Sequence, residues 1–181
     1  FWLELLSAVF GCLTPDAAWT QHREIAEEMI AISTARRWQR SLLLGLWRRA
    51  SCLLGTDDIA ATMRCYHEVY ALARRLGNEE LAADAMQMLI NLHLYDLDLG
   101  SARACLAILI DCSQRSSLDE RVVIAPLFRV KVHAVANETE EALRELLAVP
   151  TEMLVRLSQP DMIEWSEVGA LVARNMGWID E

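Results

Sequence analysis

A chain of 181 residues with 54% apolar and 24% charged side chains carries enough apolar surface to build a sizeable core, which excludes a disordered segment. Its net charge of −9 repels phosphate backbones and anionic lipid, so nucleic-acid or membrane-surface binding by this segment is not expected. With only 7 Gly and 4 Pro to interrupt it, and with Ala, Leu, Arg, Glu and Met prominent, the sequence predicts an all-α fold of long helices.

Taken in chain order, the run Phe1 to Phe10 is apolar but broken by Glu4. It is shorter than the ~20 residues a membrane span requires, and no basic region precedes it as in a signal peptide. The chain lacks an initiator Met and opens inside a helical pattern, so it is read as a segment of something larger. Helices are expected at 1–12, 16–36, 38–54, 57–76, 79–97, 99–115, 118–136, 139–148, 151–158 and 161–178. Gly55-Thr56-Asp57-Asp58 offers a C-cap followed by an N-cap, and Gly77-Asn78 a stop tolerant of left-handed backbone. Ser117 to Glu120 reads as a capping box. Pro126 predicts a kink or a helix start, and Pro150 and Pro160 predict breaks.

Self-similarity is the strongest signal. A shift of 40 residues brings Asp58 onto Asp98, Cys65 onto Cys105, His93 onto His133, Ala102 onto Ala142 and Leu106 onto Leu146. Ala71 onto Asp111 is a mismatch. Within one period Met86, Leu89, Ile90, His93, Leu94 and Leu97 follow helical spacing. Two-helix units with such short connections run antiparallel and cannot shelter their apolar faces singly. The expectation is therefore a single domain over 1–181. Antiparallel hairpins of ~40 residues stack in it as an α-solenoid with a concave face, regular over about 18–150 and irregular over 151–181.

The segment Met63-Arg-Cys-Tyr-His-Glu-Val-Tyr-Ala-Leu-Ala-Arg-Arg-Leu-Gly77-Asn, followed by Glu79 to Met86, resembles a tetratricopeptide unit. With Leu53 to Arg64 and Leu97 to Leu106, it is similar to the lengthened repeats of large ATP-dependent bacterial transcriptional regulators of the LuxR and STAND kind. The likeness covers roughly residues 18–150. It implies a TPR-like sensor arm that binds an inducer or partner in the cytoplasm, while ATPase and DNA-reading parts lie elsewhere. No GxxxxGK[ST] loop or basic recognition helix is present in these 181 residues. The pattern also departs from the family. Ile90 and Val130 stand where a small residue is expected at the closest helix approach, and His93 and His133 where an aromatic is expected.

Carried over by register, the first helix of each hairpin lines the groove with Trp47, Ser51, Asp84, Gln87, Asn91, Leu127 and Lys131, a mixture suited to an extended peptide or a small amphipathic ligand. The competing interpretation is that these are ordinary exposed helix residues. His93 and His133 read as core histidines, because neither has a carboxylate or second ligand at i+3 or i+4 in both copies. His22 and His67 read as solvated. Cys12, Cys52, Cys65, Cys105 and Cys112 show no metal-ligand spacing and read as free thiols in a reducing compartment. Trp2, Trp19, Trp38, Trp47, Trp165 and Trp178 are expected between helices. Asp57-Asp58 reads as a capping pair rather than a metal site, and Asp96 with Asp98 lacks the further carboxylate a metal motif uses.

No nucleophile motif is visible, and neither a catalytic residue, a metal nor a cofactor is expected. The function that follows is a non-catalytic protein- or ligand-binding module, with homodimers possible through exposed apolar ends. The alternative is a small all-α enzyme or binding protein with an enclosed cavity lined by Trp47, Met86 and His93.

Overall fold

The computed structural model describes residues 19–54, 56, 58–115, 121–149 and 159–177. The expected helices at 1–12 and 151–158 and the capping box at 117–120 lie outside these residues, as do Cys12, Trp2 and Trp178.

All regular structure among the described residues is helical: α1 (Trp19–Arg36), α2 (Gln39–Leu53), α3 (Ile59–Arg75), α4 (Glu79–Tyr95), α5 (Leu99–Arg115), α6 (Arg121–Val135), α7 (Thr139–Ala148) and α8 (Gln159–Asn175). Where the residue before a helix is described, helices begin at 39, 59, 79, 99 and 139. The backbone thus repeats at half the interval that side-chain similarity suggested.

A shared corner sets that interval. Arg37, Gly77, Leu97, Asn137 and Gly177 all lie in left-handed backbone, with φ between 57° and 69°. The amide of the next residue returns to the carbonyl five residues back: Trp38 to Ser33 at 2.9 Å, Asn78 to Ala73 at 2.9 Å, Asp98 to His93 at 2.8 Å and Glu138 to His133 at 2.9 Å. The left-handed residue donates to the carbonyl three back, as Gly77 does to Arg74 at 3.2 Å. These are the two bonds of a Schellman ending.

The closing residue is at once the N-cap of the following helix. Leu42, Ala82, Ala102 and Ala142 donate to the carbonyls of Trp38, Asn78, Asp98 and Glu138. Where the cap side chain is short and polar it takes one more amide: Asp58 accepts from Ala61 at 2.9 Å, Asn78 from Leu81 at 3.0 Å and Asp98 from Ser101 at 3.1 Å. One residue closing a helix and opening the next leaves no room for a longer loop.

Gly77, Gly177 and Asn137 occupy left-handed backbone at little cost. Leu97 and Arg37 do not, because their Cβ crowds the following carbonyl. Leu97 is also 74% exposed, so its side chain gains little from packing. Leu97→Gly is therefore expected to stabilise the chain by about 1 kcal/mol, read as a higher urea midpoint at unchanged slope.

The chain divides into two compact units, residues 1–85 and 86–181, with the division inside α4. In the first, α1 packs on α2 and α2 on α3. Gly45 permits the α1–α2 approach: a Cβ there would stand 3.0 Å from Ile30 Cγ1 and 3.3 Å from the Ile30 backbone nitrogen. In the second unit α5 packs on α6, α6 on α7, and α8 on both α6 and α7. The core of this three-helix end is Leu127, Val130, Ala134, Ala142, Trp165, Val168 and Val172.

The small residue sought at Ile90 and Val130 lies elsewhere. Gly45, Ala85 and Ala125 recur at 40 residues and are all buried. Ile90 and Val130 are themselves wholly buried. In α8 the same register position holds Trp165, against α7, a helix of only 10 residues. Pro126 sits inside α6 rather than at its start, so the helix runs on through it with one main-chain hydrogen bond fewer.

Candidate functional site

In the first unit, Ser51 of α2 meets Tyr66 of α3. The Ser51 hydroxyl donates to the Trp47 carbonyl at 3.0 Å. The Ser51 side chain also hydrogen-bonds the Tyr66 hydroxyl across the two helices. Tyr66 is 1% exposed, and burial pushes its hydroxyl up to about 12, with the Asp84 charge pushing the same way and Ser51 opposing. Ser51 and Asp84, both expected on the groove, thus act on a buried tyrosine that the expected groove did not include.

The sign of the Tyr66 effect follows from its neutral form being favoured in the folded state. Its contribution is complete below the unfolded value near 10 and is lost as pH rises through about 12, by about 2–3 kcal/mol in all. Denaturant midpoints of the wild type are expected to fall over that window. Tyr66→Phe, which has no phenol to ionise, lacks this part of the decline.

Burial also pushes the thiols of Cys52, Cys65 and Cys105 up, which keeps them protonated and poorly nucleophilic at neutral pH. All four described cysteines are free and buried.

In the second unit, Gln87 and Asn91 are four residues apart on α4. Gln87 Nε2 and Asn91 Oδ1 are buried atoms with no hydrogen-bond partner. One is a donor and the other an acceptor. A single amide group set between them would satisfy both, and leaving both unmet costs about 1–3 kcal/mol for each.

Lys131 Nζ lies 5.6 Å from the centroid of the Phe128 ring, over its face. Leu127 corrects the expected groove: it is 1% exposed and belongs to the core with Trp165, so no ligand reaches it. Met86, expected to line a cavity, is buried in the core as well.

The two repeated histidines also differ from expectation. His133 Nδ1 lies 2.7 Å from Glu138 Oε2, and His93 Nδ1 lies 3.7 Å from Asp98 Oδ2. A carboxylate does attend both copies, at i+5 instead of i+3 or i+4, because the Schellman ending folds that residue back over the histidine's turn. Glu138 is held on both sides, its other oxygen 2.6 Å from Arg103 Nη2 of α5. His133 first and Arg103 second hold its carboxyl below the usual range. Asp98 is likewise held low, first by its hydrogen bonds from Ser101. The two Glu138 contacts fasten α5 and α6 to the α6–α7 corner.

Three further expectations meet mixed outcomes. His22, expected in solvent, is buried, while His67 is exposed. Trp165 is buried as expected, but Trp38 is 50% exposed at a corner, beneath the Arg36 guanidinium. Asp58 and Asp98 cap helices, and among the described residues no three His, Cys, Asp or Glu side chains gather in a metal-binding arrangement. No described helix is long and apolar enough to cross a membrane.

Comparison of the sequence and fold with protein-family models, with curated proteins and with solved structures gives no match.

Proposed function

We propose that the chain is a non-catalytic docking module, a TPR-like α-solenoid whose antiparallel hairpins present one face of α4 to an extended peptide. The observation that carries this reading is the pair of orphaned amide atoms on Gln87 and Asn91. Gln87 Nε2 donates to a peptide carbonyl and Asn91 Oδ1 accepts from a peptide N–H. An extended main chain offers both groups at every residue. Both side chains are partly exposed, so rotation of their terminal torsions turns the orphan atoms outward.

The helix starts at twenty-residue intervals, with one corner design repeated between them, support the solenoid, since units so short need neighbours to cover their apolar faces. On the resemblance to LuxR- and STAND-type regulators, the module serves as the sensor arm of a bacterial cytoplasmic regulator.

The test is to pan a random-peptide display library on the immobilised chain and re-measure each recovered peptide against Gln87→Ala/Asn91→Ala. Loss of two amide hydrogen bonds predicts at least a ~10-fold weaker Kd. Recovery of no peptide, or equal binding to the double variant, overturns the reading.

A further inference from the structure

Two helix corners stand apart from the rest by what they expose. The α1–α2 corner carries Arg36, Arg37 and Arg40, all exposed, around Trp38. A fourth guanidinium joins them, because Arg75 Nη2 donates to Gln39 Oε1 at 2.9 Å. None of these arginines is ion-paired to a described carboxylate. In a chain of net charge −9, an uncompensated basic corner around an exposed indole runs against the global balance.

The α4–α5 corner is its opposite. Tyr95 is 77% exposed and Leu97 74%, and they alternate with the exposed carboxylates of Asp96 and Asp98. Both corners also hold a non-glycine side chain in left-handed backbone, Arg37 at φ 57° and Leu97 at φ 57°, where the other such positions hold Gly or Asn. A conformation that costs stability and displays a side chain to solvent points to a use outside the fold.

We propose that the two corners are the halves of one contact, the basic corner of one copy of the chain receiving the acidic corner of a second copy. Asp96 and Asp98 face the guanidinium group of the first copy, whose planar donors suit carboxylates. Tyr95 offers a ring face to an arginine, and Leu97 packs against Trp38. What selects a second copy as occupant is complementarity on both counts: the corner with unpaired cations and an aromatic is matched by one with carboxylates, an aromatic and an aliphatic. The contact joins unlike surfaces, one contributed by each copy. It is small and polar, and is therefore weak and sensitive to salt.

Sedimentation velocity over a range of concentrations tests it. At about 0.15 M salt the mean mass rises with concentration above the 20.5 kDa of one chain, and at about 1 M salt it returns to it. Arg36→Glu/Arg40→Glu and Asp96→Lys, all at exposed positions, each lower the association constant by at least about tenfold, and mixing the two variants restores it. Leu97→Gly weakens association although it suits the left-handed backbone, which separates a docking role from a folding one. A chain that is monomeric throughout, association indifferent to these reversals, or a mixture that fails to re-associate overturns the proposal.

Discussion

Trp165→Ala is expected to cost about 3–5 kcal/mol of unfolding free energy, the largest effect of any single truncation considered for the second unit. The indole is 7% exposed and fills the core shared by α6, α7 and α8, beside Leu127, Ala142 and Val168. A buried indole removes on the order of 200 Å² from water, and α7 is too short to collapse over the space it leaves. Trp165→Phe separates volume from polarity. Trp165 Nε1 is buried with no partner, so phenylalanine gives up some contact area but removes an unmet donor. The two changes oppose each other, and the variant is expected within about 1 kcal/mol of the wild type. Urea unfolding followed by circular dichroism reads both; a Phe variant as damaged as the Ala variant would show that the orphaned donor carries no cost.

The second large effect is at Leu127. Were this side chain on a ligand face, Leu127→Ala would leave stability nearly untouched. Buried to 1% in the α6–α8 core, it is expected to lose about 2–5 kcal/mol, with the spread set by how far Trp165 and Val130 can close the gap. Lys131→Ala, on the same helix but partly exposed, is expected to change stability much less. The contrast between the two variants in one urea titration decides which side of α6 belongs to the core.

Leu127 also shows how far register carries a sequence argument. Trp47, Gln87 and Leu127 are related by 40 residues, and the corners around them keep step, so the positions do correspond. What differs is the helix laid against each. α8 covers α6 and takes Leu127 into its core, and a shift of the sequence against itself carries no information about that neighbour.

The helices themselves were legible because amphipathic spacing and polar breaks are local. Expected limits of 79–97, 99–115 and 139–148 compare with Glu79–Tyr95, Leu99–Arg115 and Thr139–Ala148. The one corner design shared between these helices was hidden by side-chain chemistry that changes from corner to corner. Trp38, Asp58, Asn78, Asp98 and Glu138 share one backbone position with little in common as side chains. The recurring Gly45, Ala85 and Ala125 could have been found by applying the same shift to small residues as to large ones.

The site was only partly readable. Ser51 and Asp84 both act on Tyr66, whose environment depends on contacts between different helices. The carboxylates beside His93 and His133 escaped notice because helical spacing was assumed to continue past the helix end. Left-handed residues at 97 and 137 bring i+5 back within reach. Exposed Trp38 ran against the rule that tryptophan packs between helices, and nothing in its local pattern distinguishes it from buried Trp165.

Amide hydrogen exchange at the corners tests the shared design most directly. The N–H groups of Trp38, Asn78, Asp98 and Glu138 each return to a carbonyl of the preceding helix, so all four are expected to exchange slowly, as interior helical amides do. The amides of Gln39, Glu79 and Thr139, first residues of their helices, have no intrahelical partner and are expected to exchange far faster. Uniformly fast exchange across 38–39, 78–79, 98–99 and 138–139 would mean that ordinary flexible loops join these helices, and the twenty-residue unit would lose its physical basis.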